Sequence, residues 1–95
     1  MLYPSLEKKL RSVRHAFETA TSENIIELGK EYLALLEEHH SKLLGHPGAP
    51  GGGLQPASSS SYEIVHNTQE TVRNLLTQTE QERGRVETIL NPLLR

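Results

Sequence analysis

The chain has no cysteine and no tryptophan, and Phe17 is its single phenylalanine. Without cysteine, disulfide scaffolds, zinc–thiolate sites and thiol nucleophiles are excluded. Only 35% of the 95 residues are hydrophobic and 4% are aromatic, which is typical of amphipathic helices rather than of a core built on aromatic side chains. We therefore expect at most one small domain, which buries a modest share of its surface.

A basic excess is missing as well. The chain has ten Lys and Arg residues and twelve Asp and Glu residues, so its formal net charge is −2 and nucleic acid is not an expected partner. No apolar run approaches the ~20 residues that span a bilayer, and the N-terminus lacks the apolar segment of a secretory signal. These patterns predict an intracellular, cytoplasmic protein without membrane attachment.

The first half of the chain shows helical periodicity. Its apolar residues recur every three or four positions, which predicts an amphipathic helix over 4–44 that stops at the glycine and proline of "LLGHP". The stretch 19–24 is rich in Thr, Ser and Asn, which favour helix ends. It contains no Gly or Pro, so we expect a continuous helix with a stutter there; a break is the alternative.

The second half repeats the pattern after an interruption. Residues 45–61 are dominated by Gly, Pro and Ser, which predicts a flexible linker. A second amphipathic helix is predicted over 62–91, opened by a capping box between Ser60 and Glu63. Pro92 disfavours helical geometry at the residue before it, so the regular helix should end near Leu90.

The two predicted helices carry an apolar seam that we expect to form the core or to bind a partner. Its members in the first helix are Leu6, Leu10, Val13, Phe17, Ile25, Leu28, Tyr32, Leu35, Leu36 and Leu43. Its members in the second helix are Val65, Val72, Leu75, Leu76, Val86, Ile89 and Leu90. Adjacent apolar pairs in the seam point about 100° apart, so one neighbouring helix cannot cover both.

The predicted fold class is all-α, an antiparallel helical hairpin or coiled coil. Because its apolar faces are too wide for two helices, we expect a helical bundle completed by oligomerisation or by a partner. The alternative is a self-contained three-helix domain, formed if the first helix breaks at 19–24.

Polar residues interrupt the second seam. Thr79, Glu82, Arg83 and Gly84 stand where large apolar side chains are expected. Inside an apolar repeat, Thr79, Arg83 and Gly84 can form a polar layer that fixes register, with Gly84 allowing close backbone approach. The alternative is a stretch that faces solvent.

Basic residues are concentrated in the first turns of the first helix. Lys8, Lys9, Arg11 and Arg14 oppose the helix dipole there, so they are a candidate electrostatic contact surface. The alternative is a solvated face.

The sequence offers no catalytic constellation and no cofactor motif. The adjacent His39 and His40 point in different directions on a helix and lack the i, i+4 spacing of a helical metal site. We therefore expect no enzyme activity, no metal and no cofactor.

The expected function is a protein–protein interaction module, either a scaffold or an assembly subunit that acts through apolar helix faces. Its partner would be a second copy or a helical protein. The alternative is a three-helix adaptor domain that binds a short amphipathic helix of a trafficking or regulatory partner.

Overall fold

The computed structural model describes residues 2–55 and 61–95, and within them the chain is helical without strands. Helix α1 is Pro4–Glu18, α2 is Ile25–Leu44 and α3 is Tyr62–Leu90, followed by one 3-10 turn at Asn91–Leu93. The all-α class is confirmed, with three helices in place of the expected two. None of the helices in these ranges is long and apolar enough to cross a membrane.

The expectation of a continuous helix over 4–44 is wrong, because the chain leaves helical geometry at 19–24. Asn24 explains the break: its Oδ1 accepts hydrogen bonds from the Thr21 N–H at 2.9 Å and from the Thr21 hydroxyl at 3.1 Å. The Thr19 hydroxyl donates back to the His15 carbonyl. Short polar side chains thus compete with the helical backbone ladder and allow the chain to reverse direction.

The central helix is α2, and both α1 and α3 pack along it in the antiparallel sense. The Tyr3 hydroxyl, just before α1, donates to the carbonyl of Lys42 at the far end of α2, whereas Phe17 contacts Tyr32. The Tyr32 hydroxyl in turn reaches Glu82 of α3. The hairpin expected from the sequence is therefore a three-helix arrangement, in which α2 buries apolar side chains against both neighbours.

The core consists of two apolar clusters. One contains Phe17, Tyr32, Leu36, Val86 and Leu90 and joins all three helices. The other is formed by Leu43, Ala49, Val72 and Leu76, near the end of α2 that leads into the loop. Their most enclosed side chains are leucines and valines, each of which contributes about 1.5–3 kcal/mol on burial.

In the described part of the predicted linker, residues 45–55, several residues contact α3. Ala49 is buried in the second cluster, and Gly48 lies close to Thr68 and Val72 of α3. Consecutive turns hold residues 45–52, and the Leu54 carbonyl accepts a hydrogen bond from the Gln69 side chain. Small residues make this packing possible because they let the loop backbone approach α3 closely.

The beginning and end of α3 relate differently to the sequence. The capping box expected from Ser60 lies outside the described residues. At the other end, α3 stops at Leu90, two residues before Pro92, and the chain continues as the 3-10 turn. The end at Leu90 agrees with the sequence, but Asn91 keeps helical backbone angles (φ −54°, ψ −46°), so the restriction that proline places on the residue before it is not what ends the helix.

Two helical glycines stand in opposite environments. Gly29 of α2 is buried, and a Cβ atom added there would lie 2.6 Å from Cδ1 of Leu90. A Cβ atom on Gly84 of α3 would meet nothing within 4 Å. The close approach between helices therefore occurs at Gly29, and the role that the sequence predicted for Gly84 is wrong.

The two glycines give a matched pair of substitutions. Gly84→Ala should raise the free energy of unfolding by about 1 kcal/mol, because alanine is the better helix former. Gly29→Ala should lower it by about 1 kcal/mol, because displacing the enclosed Leu90 outweighs the same helical gain. Urea unfolding of both variants measures the difference, and equal stabilisation by the two changes would contradict the close contact.

Candidate protein-binding groove

A groove of about 660 Å³ lies between α1 and α3, with α2 at its base. Leu10 of α1 and Leu75 of α3 are half-buried and offer apolar surface on the two walls, whereas Tyr32 and Leu36 of α2 close the bottom. The walls end in polar groups, including Arg11 of α1. The arrangement is a three-helix bundle with an open groove along one side.

A polar cluster around Glu82 links all three helices at one end of this groove. The Glu82 carboxylate accepts a hydrogen bond from the Tyr32 hydroxyl at 2.5 Å and two from Arg85, at 2.6 and 2.9 Å. Arg14 of α1 lies 3.5 Å away, and Arg85 also bonds Glu18 of α1. One carboxylate thus connects α1, α2 and α3, and the bidentate arginine contact fixes its orientation.

The same contacts shift the ionisation of the cluster. The hydrogen bonds from Arg85 lower the pKa of Glu82 from its ordinary 4.5 to about 2, despite the opposing effect of burial. Burial, helped by the Glu82 carboxylate, raises the pKa of the Tyr32 hydroxyl. At neutral pH, Glu82 is therefore ionised and Tyr32 is a hydrogen-bond donor.

The polar layer predicted in α3 is different from the one that forms. Thr79 is buried, but its hydroxyl donates to the Leu76 carbonyl of its own helix, 2.8 Å away. Arg83 pairs with Glu87 on the partly exposed surface of α3. The contacts between helices are made by Glu82, which the sequence pattern identified only as a polar residue at an expected apolar position.

A second polar position lies deeper in the groove. His39 of α2 is 5% exposed, and its Nε2 has no hydrogen-bond partner among the described residues. Glu7 of α1 is also buried, and its carboxylate accepts the Tyr3 N–H at 2.9 Å. Burial lowers the pKa of His39, and the negative charge of Glu7 partly offsets that effect.

The four basic residues at the start of α1 face two sides of the helix. Arg11 and Arg14 line the groove between α1 and α3. Lys8 and Lys9 line a separate depression beside Glu31 and Leu35 of α2. The candidate contact surface is therefore split, and its arginine half belongs to the groove.

The residues of the apolar seam lie at the helix contacts or beside them. Those that are buried are Leu6, Phe17, Tyr32, Leu36, Leu43, Val72, Leu76, Val86 and Leu90. Those that are half-buried are Leu10, Val13, Ile25, Leu28, Leu35, Val65, Leu75 and Ile89. Leu10 and Leu75 are the seam residues that also line the groove walls.

Other important positions are missing from the predicted seam. Gly29 and Glu82 both contact or line the interior, and Gly29 continues the three- and four-residue spacing of the α2 residues that face α3. Their spacing matches that of the seam, but the seam was defined by apolar side chains, so a glycine and a charged residue were not counted in it. In residues 2–55 and 61–95 there is also no group of three His, Asp or Glu side chains that could hold a metal ion.

The Glu82 cluster predicts a specific response to acid. The pKa of Glu82 is lower in the folded protein than in the unfolded chain, so its contribution to stability is complete above about pH 4.5 and fades as the pH falls toward 2. Glu82→Gln should lower the free energy of unfolding at pH 7 by about 1–3 kcal/mol and should flatten its fall below pH 4.5.

The matched control for this change is Glu87→Gln on the same helix. Glu87 pairs with Arg83 at 3.6 Å, and both side chains are largely exposed, so its loss should change stability by less than about 0.5 kcal/mol. Denaturant unfolding between pH 7 and pH 2.5 measures both variants. If the two lose the same stability, Glu82 does not hold the helices together.

Comparison of the chain with family models, with curated proteins and with solved structures finds no match. The function is therefore inferred from the geometry and chemistry of the groove.

Proposed function

We propose that the protein is a non-enzymatic interaction module whose groove between α1 and α3 binds a short amphipathic helix of another protein. The observation that carries this proposal is the half-buried apolar surface of Leu10 and Leu75, which line opposite walls of the groove. A helix seated there would complete a four-helix bundle around α2, with its apolar face against these leucines.

The length of the groove suits about two helical turns. From Leu75 to Glu82, α3 rises by about 10 Å at ~1.5 Å per residue. The Glu82 cluster bounds that end, because Arg14 and Arg85 connect α1 to α3 there. A docked helix would therefore lie between the cluster and the end of the groove near Glu7.

The charge of the groove favours an acidic occupant. Glu7 and Glu82 are already engaged by hydrogen bonds within the protein. Arg11 is exposed and forms no ion pair among the described residues. An amphipathic helix with acidic side chains beside its apolar face would therefore complement the α1 wall.

The exposed apolar residues argue for a partner other than a second copy. Large apolar side chains that are exposed in the described residues are confined to the ends of helices and the C-terminus: Leu44, Tyr62, Ile64, Leu93 and Leu94. No helix in that part of the chain therefore presents a long exposed apolar stripe to the groove of a second copy. This favours the adaptor over a self-assembling scaffold.

A synthetic peptide of about 15 residues tests the proposal, since shorter isolated helices are marginally stable. The peptide carries leucines on one helical face and glutamates on the other, and its control carries lysines in place of the glutamates. NMR titration of the ¹⁵N-labelled protein should show acidic-peptide shifts at Leu10, Arg11, Leu75 and Gln78. Concentration-dependent shifts of these signals without peptide would instead assign the groove to a second copy.

Two charge reversals on α1 provide the matched variants. Arg11→Glu should weaken binding of the acidic peptide about fivefold at physiological salt, because it removes an attraction and adds a repulsion. Lys9→Glu makes the same change of net charge on the opposite side of α1, away from the groove, and should weaken binding less than twofold, since salt screens charges beyond about 8 Å. Equal losses in the two variants, measured by fluorescence anisotropy, would contradict docking in this groove.

A further inference from the structure

His39 is the buried polar side chain of the groove that lacks a use within the described protein. It belongs to α2 at the base of the groove, and its Nε2 is enclosed without a hydrogen-bond partner there. A buried polar atom without a partner destabilises the fold, and an apolar residue at this seam position would avoid that loss. Because Nε2 itself has almost no accessible surface, a ligand that fills the groove supplies the missing partner by drawing the imidazole toward it.

The neighbours of His39 leave Nε2 for such a ligand. Glu7 of α1 acts on His39 electrostatically, but its carboxylate is engaged by the Tyr3 N–H. The Tyr3 ring meets the imidazole edge to face, with centroids 6.2 Å apart. On α3, the Thr79 hydroxyl is committed to its own helix.

We propose that His39 selects the occupant of the groove by donating a hydrogen bond from Nε2 to a carboxylate set within the apolar face of the docked helix. This inference rests on the proposed function and names the side chain that a partner must carry. A carboxylate suits the position because Arg11 lines the same groove without an ion pair among the described residues, so it can compensate the negative charge as it is buried.

Proton uptake should accompany binding. In the free protein, burial lowers the pKa of His39, so the imidazole is neutral at pH 7. The docked carboxylate raises that pKa again, and the imidazole takes a proton from solvent. Affinity for the carboxylate should therefore increase as the pH falls from 8 to 6. On the α1 side of the groove, the titratable or charged groups near His39 are Glu7, Tyr3 and Arg11. On the α3 side, Glu82 stays ionised in this range and Glu80 pairs with His40.

Two peptides that differ at one atom test the inference. Both follow the acidic design above, but one has Glu and the other has Gln in the middle of the leucine face. The wild-type protein should bind the Glu peptide about tenfold more tightly, because a charge-assisted hydrogen bond is about twice as strong as a neutral one. That preference should grow at pH 6.

Substitution of His39 separates selection from a structural role. His39→Leu should fold more stably than the wild type, because it removes the enclosed unpaired nitrogen, and should lose the preference for the Glu peptide. Gly84→Ala is the control, since it also stabilises the protein but lies where a Cβ atom meets nothing. It should keep the full preference.

The outcomes distinguish the two proposals. If wild type binds both peptides equally, or if His39→Leu keeps the preference for Glu, the groove binds helices but His39 does not select them. If neither peptide binds the wild type or moves the groove signals, the proposed function itself is wrong, and the inference falls with it.

Discussion

The position of all three helices depends on the carboxylate of Glu82. Its carboxylate contacts Arg14 of α1 and Tyr32 of α2 and is held by Arg85 within α3. These contacts are directional, so they fix the rotation of each helix where apolar packing alone would allow sliding. By connecting α1 and α3 at one end only, the cluster also determines where the groove begins.

Hydrophobic spacing was sufficient to predict which parts of the chain are helical, but not that the first helical part is divided into two helices. Thr21 and Asn24 decide that division through side-chain hydrogen bonds, whose outcome a periodic pattern does not encode. The packing of Ala49 could not be predicted for a related reason, because this residue becomes part of the core only when α3 lies beside it. Likewise, the structural role of Glu82 depends on its partners on two other helices, which the spacing along α3 does not reveal.

The groove could be anticipated only in outline. The wide apolar faces indicated that two helices would not suffice, and the break at 19–24 supplies the third within the same chain. Leu10 and Leu75 remain half-buried even so, which is why a further helix is a reasonable occupant. A buried histidine with an unpaired nitrogen in that groove fits a surface used for recognition, since the unpaired nitrogen lowers stability where an apolar side chain would not.

The central claim is that one chain closes its own core across three helices and leaves a groove for another protein. Sedimentation equilibrium with circular dichroism across a dilution series tests it most directly. The account predicts a monomer of 10.6 kDa whose helicity is unchanged on dilution. A dimer or tetramer whose helicity falls on dilution would contradict it, because the core would then be built between chains.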